Sequence, residues 1–260
     1  MNHFAPPQLS WRFIPVWRRH FLVWKKLAGP SILGNLADPM FYMLGFGYGL
    51  GSLMPQVGGA TYLTFLSAGT ICYSTMNSAT FEVLYSGFSR MHVQKTWDAI
   101  LNTPLTLDDV MFAELSWGAS KSLLSGIAIL AVIWALGLQQ NWLLSLWVIP
   151  VVILIGFTFS AMGLVMTAIS PSYDFFMYYF TLVITPMVLL CGVFYPVDRM
   201  PDFLQISAAI LPLSHAIDLV RPLILGHRPT AIPIHVAAML IWGSISYWLA
   251  VSLTRRRMLN

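Results

Sequence analysis

Six uninterrupted apolar stretches, at about 34–54, 61–86, 113–137, 143–169, 175–195 and 232–253, dominate this chain. Each is long enough to cross a bilayer's hydrocarbon core of about 30 Å, which takes roughly 20 residues of helix. Backbone polar groups facing lipid must be satisfied within the segment, so runs of this kind form helices. They lack the apolar–polar alternation of barrel strands. Composition closes the soluble alternative. Only 9% of the 260 residues are charged and 57% are hydrophobic, against about 25% charged in a soluble domain. The sequence predicts an all-α integral membrane protein, a single transmembrane domain over 1–260 with six transmembrane helices.

Orientation follows from the cations between the stretches. Arg12, Arg18, Arg19, Lys25 and Lys26 precede the first, Arg90 and Lys95 follow the second, and Arg255, Arg256 and Arg257 follow the sixth. The opposite side has Arg199, Arg221 and Arg228, a tally of ten against three that places both termini in the cytoplasm. The formal net charge of +4 forms no basic stripe on a soluble module, which argues against nucleic acid as a partner. The first 30 residues are basic and aromatic, without the short apolar core and small-residue cleavage site of a signal peptide. Cys72 and Cys191 both sit in apolar stretches and read as reduced packing residues.

Three segments outside the spans carry information. Over 11–28, Phe13, Ile14, Trp17, Phe21, Trp24 and Ala28 share one helical sector and the cations the other, which predicts an amphipathic helix in the headgroup plane. It serves as a topological anchor or frames the way in for an amphipathic substrate. The cytoplasmic loop 88–110 is the longest polar stretch. Residues 89–102 form a short helix, Thr103-Pro104 stops it, and Thr106 with Asp108 and Asp109 caps the next helix. Such a helix is a handle for a cytosolic partner or an ordinary solvated loop. The far-side segment 197–228 has apolar pieces too short to span, cut by Pro201, Pro212 and Pro222, and reads as periplasmic re-entrant half-helices between the fifth and sixth spans.

If ATP drives this protein, a separate subunit hydrolyses it. No G-x-x-x-x-G-K-[ST] phosphate loop is present. Gly118-Ala119-Ser120-Lys121-Ser122 lacks the glycine before lysine, and Gly45, Gly47, Gly49 and Gly51 fit close helix packing. Asp38, Glu82, Glu114, Lys121 and Asp174 lie in or beside spans, where ionisable groups are functional candidates. Glu114 and Lys121 are seven apart on one face, so Lys121 pairs with Glu82 or Glu114 as a cytoplasmic gate or salt bridge. No acid lies at a midplane where a proton relay needs one. His215 and Asp218, one helical turn apart, offer a base and its orienting acid, but no nucleophile pattern or metal-ligand spacing accompanies them. A hydrogen-bonded pair fixing the re-entrant turn, with Arg221, is the plainer reading. The aromatics Tyr173, Phe175, Phe176, Tyr178, Tyr179 and Phe180 form an interfacial belt, some of them lining a path.

The segments WKKLAGPSILGNLADPMFYMLGFGYGLG (24–51), FSRMHVQKTWDAILNTPLTLDDVMFAE (88–114), ISPSYDFFMYYFTLVITPM (169–187) and GVFYPVDRMPDFLQISAAILPLSHAIDLVRPLILG (192–226) resemble the type-2 ABC exporter permeases, and among them those exporting nodulation lipo-oligosaccharides. The last carries P-L-x-H and the Arg-Pro-Leu-Ile-Leu-Gly end. The resemblance implies a homodimer in the bacterial inner membrane, bound to two cytosolic ABC ATPase subunits. It implies ATP and Mg in those subunits, with no cofactor or metal on this chain. The helix between the second and third spans then sits in the ATPase groove, which gives Arg90, His92, Lys95, Trp97, Asp98 and Leu101 a coupling role. The substrate it implies is a lipid-linked glycan moved outward among membrane lipids; a drug-efflux permease is the nearest alternative. A membrane-embedded enzyme acting on lipid-linked sugars through His215 and Asp218 is a third.

Overall fold

The computed structural model describes residues 4–54, 56–57 and 59–258. Those residues are almost wholly helical. After an irregular start, α1 (Phe13–Lys25) lies against the bundle, with Val16 and His20 buried and Ile14, Phe21, Leu22 and Val23 exposed. α2 (Ala28–Gly49) carries Pro39 inside it. A two-residue hairpin, β1 (Gln56–Val57) with β2 (Ala60–Thr61), leads into α3 (Tyr62–Phe81), which the Thr61 hydroxyl caps by accepting from Thr64 N–H. The chain then runs through two π-helical pieces, Glu82–Gly87 and Ser89–Val93, to α4 (Thr96–Leu101).

The remaining helices are α5 (Leu107–Ala135), α6 (Trp142–Ser145), α7 (Val148–Ile169), α8 (Phe175–Tyr179), α9 (Thr185–Leu190), α10 (Asp202–Ile210), α11 (Pro212–Ile224) and α12 (Ile232–Met258). Among them α5, α6 with α7, and α12 are long and apolar enough to cross a membrane. α2 and α3 have the length, but Asn35, Asp38 and several glycines lower the first, and serines and threonines lower the second. Phe175–Leu190 is short, because Gly192 at φ 82° turns the chain out of the helix. Its 16 residues reach roughly 24 Å.

In the segment expected to be re-entrant, α10 and α11 meet at 89° across Leu211, a bend shared by a broken span and a re-entrant loop. The expected single helix over 89–102 is instead two pieces. Gln94 ends one, and Lys95, at φ 50°, starts the other in a left-handed conformation. The stop at Thr103-Pro104 and the cap at Thr106 form as read, with Thr106 and Asp109 bonded reciprocally in a capping box.

α7 lies at the centre, packed along α12, α5 and α3. Glycines set how closely these axes approach. A Cβ on Gly156 would stand 2.9 Å from Ala119 Cα and press on the Ser122 hydroxyl, and one on Gly126 would meet Val152 at 2.6 Å. The run at 45–51 contributes less than its spacing predicts: Gly47 packs on Leu63, while Gly45 and Gly49 face open space. Hydrophobic collapse offers no gain between helices in lipid, so buried hydroxyls add the adhesion. Ser74 bonds Ser125 at 2.8 Å, Thr158 donates to Met239 O at 3.1 Å, and Thr167 donates to Val83 O at 2.8 Å.

Gly156→Leu should therefore separate α5 from α7, with an overpacking cost of about 1–3 kcal/mol or more. The thermal midpoint of the detergent-purified chain should fall, while Ile153→Leu, on the exposed face of the same helix, should leave it unchanged. Equal midpoints would contradict this crossing.

Candidate functional site

Where α3 passes into its π-helical continuation, four elements bring charged side chains to one buried point. Glu82 comes from the first turn after α3, Arg90 from the second π-helical piece, Trp97 from α4, and Glu114, Trp117 and Lys121 from α5. Positions 114, 117 and 121 follow helical spacing and present one face. Glu82 and Glu114 are 5% and 0% exposed, so each must be fully partnered or be ruinous to burial.

They are fully partnered. Arg90 donates from Nε to Glu114 Oε1 at 2.9 Å and from Nη2 to Glu114 Oε2 at 2.5 Å, a two-pronged grip. The same Nη2 reaches Glu82 Oε1 at 3.0 Å. Trp117 Nε1 donates to Glu82 Oε1 at 2.9 Å, and Lys121 Nζ to Glu82 Oε2 at 2.9 Å. Trp97 Nε1 donates to Glu114 Oε1 at 3.0 Å. Two carboxylates thus face two cations and two indole N–H groups, a neutral cluster with every carboxylate oxygen served. Burial works against the Arg90 charge, but Glu114 and Glu82 outweigh it and hold its pKa above the ordinary arginine value. His20 of α1 closes the far side, its Nε2 3.3 Å from Glu114 Oε1 without the angle of a hydrogen bond.

Lys121 therefore chooses Glu82, and Arg90 bridges the two acids. Residues expected on the coupling surface divide into two sets. Trp97 is 1% exposed and Arg90 is held in the cluster, while Leu101 is half-buried against the core. His92, Lys95 and Asp98 remain exposed, beside Val93 at 63%. Beside the cluster opens a cleft of about 550 Å³, lined among others by Arg19, Trp24, Tyr85, Ser89, Trp117 and Tyr173. The belt aromatics also divide: Phe176 and Tyr179 are buried, Phe176 packing on Tyr85 and Phe88, whereas Tyr178 is exposed.

At the opposite end, Pro212 opens α11 at its first position. The expected His215–Asp218 pair does not form: His215 Nδ1 bonds His235 Nδ1 of α12 at 2.9 Å, and Asp218 lies 3.9 Å from His235. Arg221 turns inward to donate to Gly192 O, with its guanidinium 3.8 Å from the Phe65 ring centre. It holds the turn after α9 against α3 and α11. Sequence reasoning missed Trp117 and His20. Trp117 was within reach, sitting between Glu114 and Lys121 on their face; His20 was hidden among the cations of α1.

Breaking the cluster on one side strands buried charge. Arg90→Ala should cost about 3–5 kcal/mol, and the double change Arg90→Met with Glu114→Met should recover part of it, because the uncompensated carboxylate goes too. Thermal unfolding in lipid nanodiscs measures both; a wild-type midpoint for Arg90→Ala would refute the geometry.

A family model described as "ABC-2 type transporter" matches residues 12–225. Over 98% of its length the chain is 47% identical to "Nodulation protein J" of Rhizobium leguminosarum bv. trifolii, covering 97% of that protein. It is 43% identical to the protein of the same name in Rhizobium meliloti (strain 1021), again over 98% of this chain and 97% of that one. A more distant relative, "Inner membrane transport permease YadH" of Escherichia coli (strain K12), is 23% identical over 92% of this chain and 91% of its own. With the helical membrane fold, the ABC-2 match over most of its length and these relatives, the chain belongs to the ABC-2 type transporter family.

Proposed function

We propose that this chain is the membrane permease of an ATP-driven exporter in a bacterial inner membrane, working as a pair of copies with two separate ATPase subunits. Six crossings, counting α2, α3, α5, α6–α7, α8–α9 and α12, put both described ends and the 88–106 loop on one side. Three contacts support that placement: Arg255 near the end of α12 pairs with Asp108 just after the loop, Trp248 bonds Phe4 O, and Arg12 bonds Pro104 O. The positive-inside tally makes that side cytoplasmic.

One observation carries the mechanism. The indole of Trp97 in α4 is anchored on Glu114 of α5, and Arg90 binds Glu114 to Glu82 at the base of α3. The loop is bolted to two spans through buried polar bonds and leaves an exposed outer face of His92, Val93, Lys95 and Asp98 for the ATPase groove. When the ATPase pair closes on ATP and Mg, force on that face passes to α3 and α5 and turns the bundle from inward- to outward-facing. The chain supplies the path and no hydrolysis. The cargo is an amphipathic lipid-linked glycan, drawn from the inner leaflet beside α1. Its polar part faces a cleft walled by Trp24, Trp117, Tyr85 and Tyr173, whose flat rings suit sugar rings.

Changing the outer face alone, with Val93→Asp and Asp98→Lys together, should abolish co-purification of the ATPase subunit and export. Insertion and thermal midpoint should be unaffected. If the ATPase still co-purifies and a fluorescent lipo-oligosaccharide is still exported from cells, the coupling surface lies elsewhere.

A further inference from the structure

Two buried acids open α5, and only one is spent on its cap. Asp109 closes the capping box with Thr106 and also accepts from the Ser10 hydroxyl. Asp108 turns instead to α12. Arg255 grips it with two prongs, Nε on Oδ1 at 3.0 Å and Nη2 on Oδ2 at 2.5 Å, and Gln8 N–H adds a bond to Oδ2 at 2.7 Å. The two side chains are 8% and 12% exposed. A cation serving only as a topological anchor would keep its head in water; Arg255 does not.

The non-helical residues 4–12 run across this pair like a strap. Ala5 O accepts from Arg255 Nη1 at 2.6 Å, Phe4 O accepts from Trp248 Nε1 at 3.3 Å, and the Phe4 and Trp248 rings lie 6.2 Å apart. Beyond the pair, Arg12 donates to Pro104 O at 3.2 Å, in the loop itself. The strap thus touches α12, the start of α5 and the loop in succession. α12 needs such a tie, since it packs mainly along α7 and meets α5 at few other points, Phe112 with Tyr247 among them.

We propose that Asp108 and Arg255, tied by residues 4–12, are positioning residues that lock α12 to the loop end of α5, so that the two move as one body. Charged hydrogen bonds with a fork geometry hold relative orientation as well as distance, which apolar contact along a helix does not. In the exporter reading, on which the transport consequence rests, the loop then drives α12 together with α3 and α5. Without the lock, ATP would be spent on moving part of the bundle.

The lock is read in the full chain in lipid nanodiscs, with spin labels on Asn102→Cys in the loop and Arg256→Cys in α12; the buried Cys72 and Cys191 stay unlabelled. With the labelled chain diluted in an excess of unlabelled copies, the parent should give one narrow distance distribution. Asp108→Asn or Arg255→Gln should at least double its width, and the exchanged pair Asp108→Arg with Arg255→Asp should narrow it again. Arg255→Lys, which keeps the charge and loses the fork, should give an intermediate width and covers the case in which the neutral variants do not fold. Equal widths in parent and variants would overturn the proposal. With the ATPase subunit added, the neutral variants should bind it and hydrolyse ATP normally while export falls about tenfold. An ATPase subunit that ignores the parent chain would sink the exporter reading, and the free-chain distances would still decide the lock.

Discussion

Two carboxylates placed out of reach of water impose most of what is distinctive here. Glu82 and Glu114 have no solvent to stabilise them, and a buried charge that loses its partners costs several kcal/mol. Their donors come from α4, α5 and the turns after α3. Those elements are therefore held in fixed relation wherever the cluster is intact. A hydrophobic contact at the same place would tolerate sliding. A network of directed bonds tolerates little, and that is why the short helix α4 can behave as an extension of two neighbouring helices.

The buried face and the outer face of the 88–106 loop do different work. Trp97 and Arg90 bind inward, His92, Lys95 and Asp98 point out, and the left-handed Lys95 is the joint that allows both orientations within a dozen residues. The far end of the molecule is built on the same rule with other parts. There Arg221 is half-buried, donates to Gly192 O and lies over the Phe65 ring, and Tyr62 donates to Phe194 O at 2.9 Å. Polar side chains in lipid-depth structure act here as fasteners across elements, and the helices supply the rods.

Much of this was legible in the sequence. The amphipathic start, the proline-cut far-side segment and the Thr106 cap each rest on local rules and have helical counterparts in the structure, and the six apolar stretches reappear as helices, three of them long and apolar enough to cross a membrane. That Lys121 must pair with Glu82 or Glu114 was legible as well, since a lysine in a span demands an acid. The choice between them was not, because it depends on where Arg90 arrives from an irregular π-helical turn. Spacing alone misjudged three features: the helix over 89–102 breaks at Gln94 and Lys95, His215 pairs with His235 twenty residues away, and the glycine run at 45–51 packs closely only at Gly47. His215 finds its partner on another helix, and of the glycine run only Gly47 meets a close neighbour, Leu63. The tie between Asp108 and Arg255 was the least visible, hidden by the ready explanations of a helix cap and a positive tail.

The central claim is that the loop is rigidly anchored inside and free outside before any ATPase binds. Amide hydrogen exchange on the chain in nanodiscs measures this residue by residue. Amides of residues 99–101 should exchange as slowly as those in the second turn of α5, while those of 92–95 exchange fast and slow down only when the ATPase subunit is added. Fast exchange throughout 92–101 in the free chain, with protection arriving everywhere at once on ATPase binding, would contradict it.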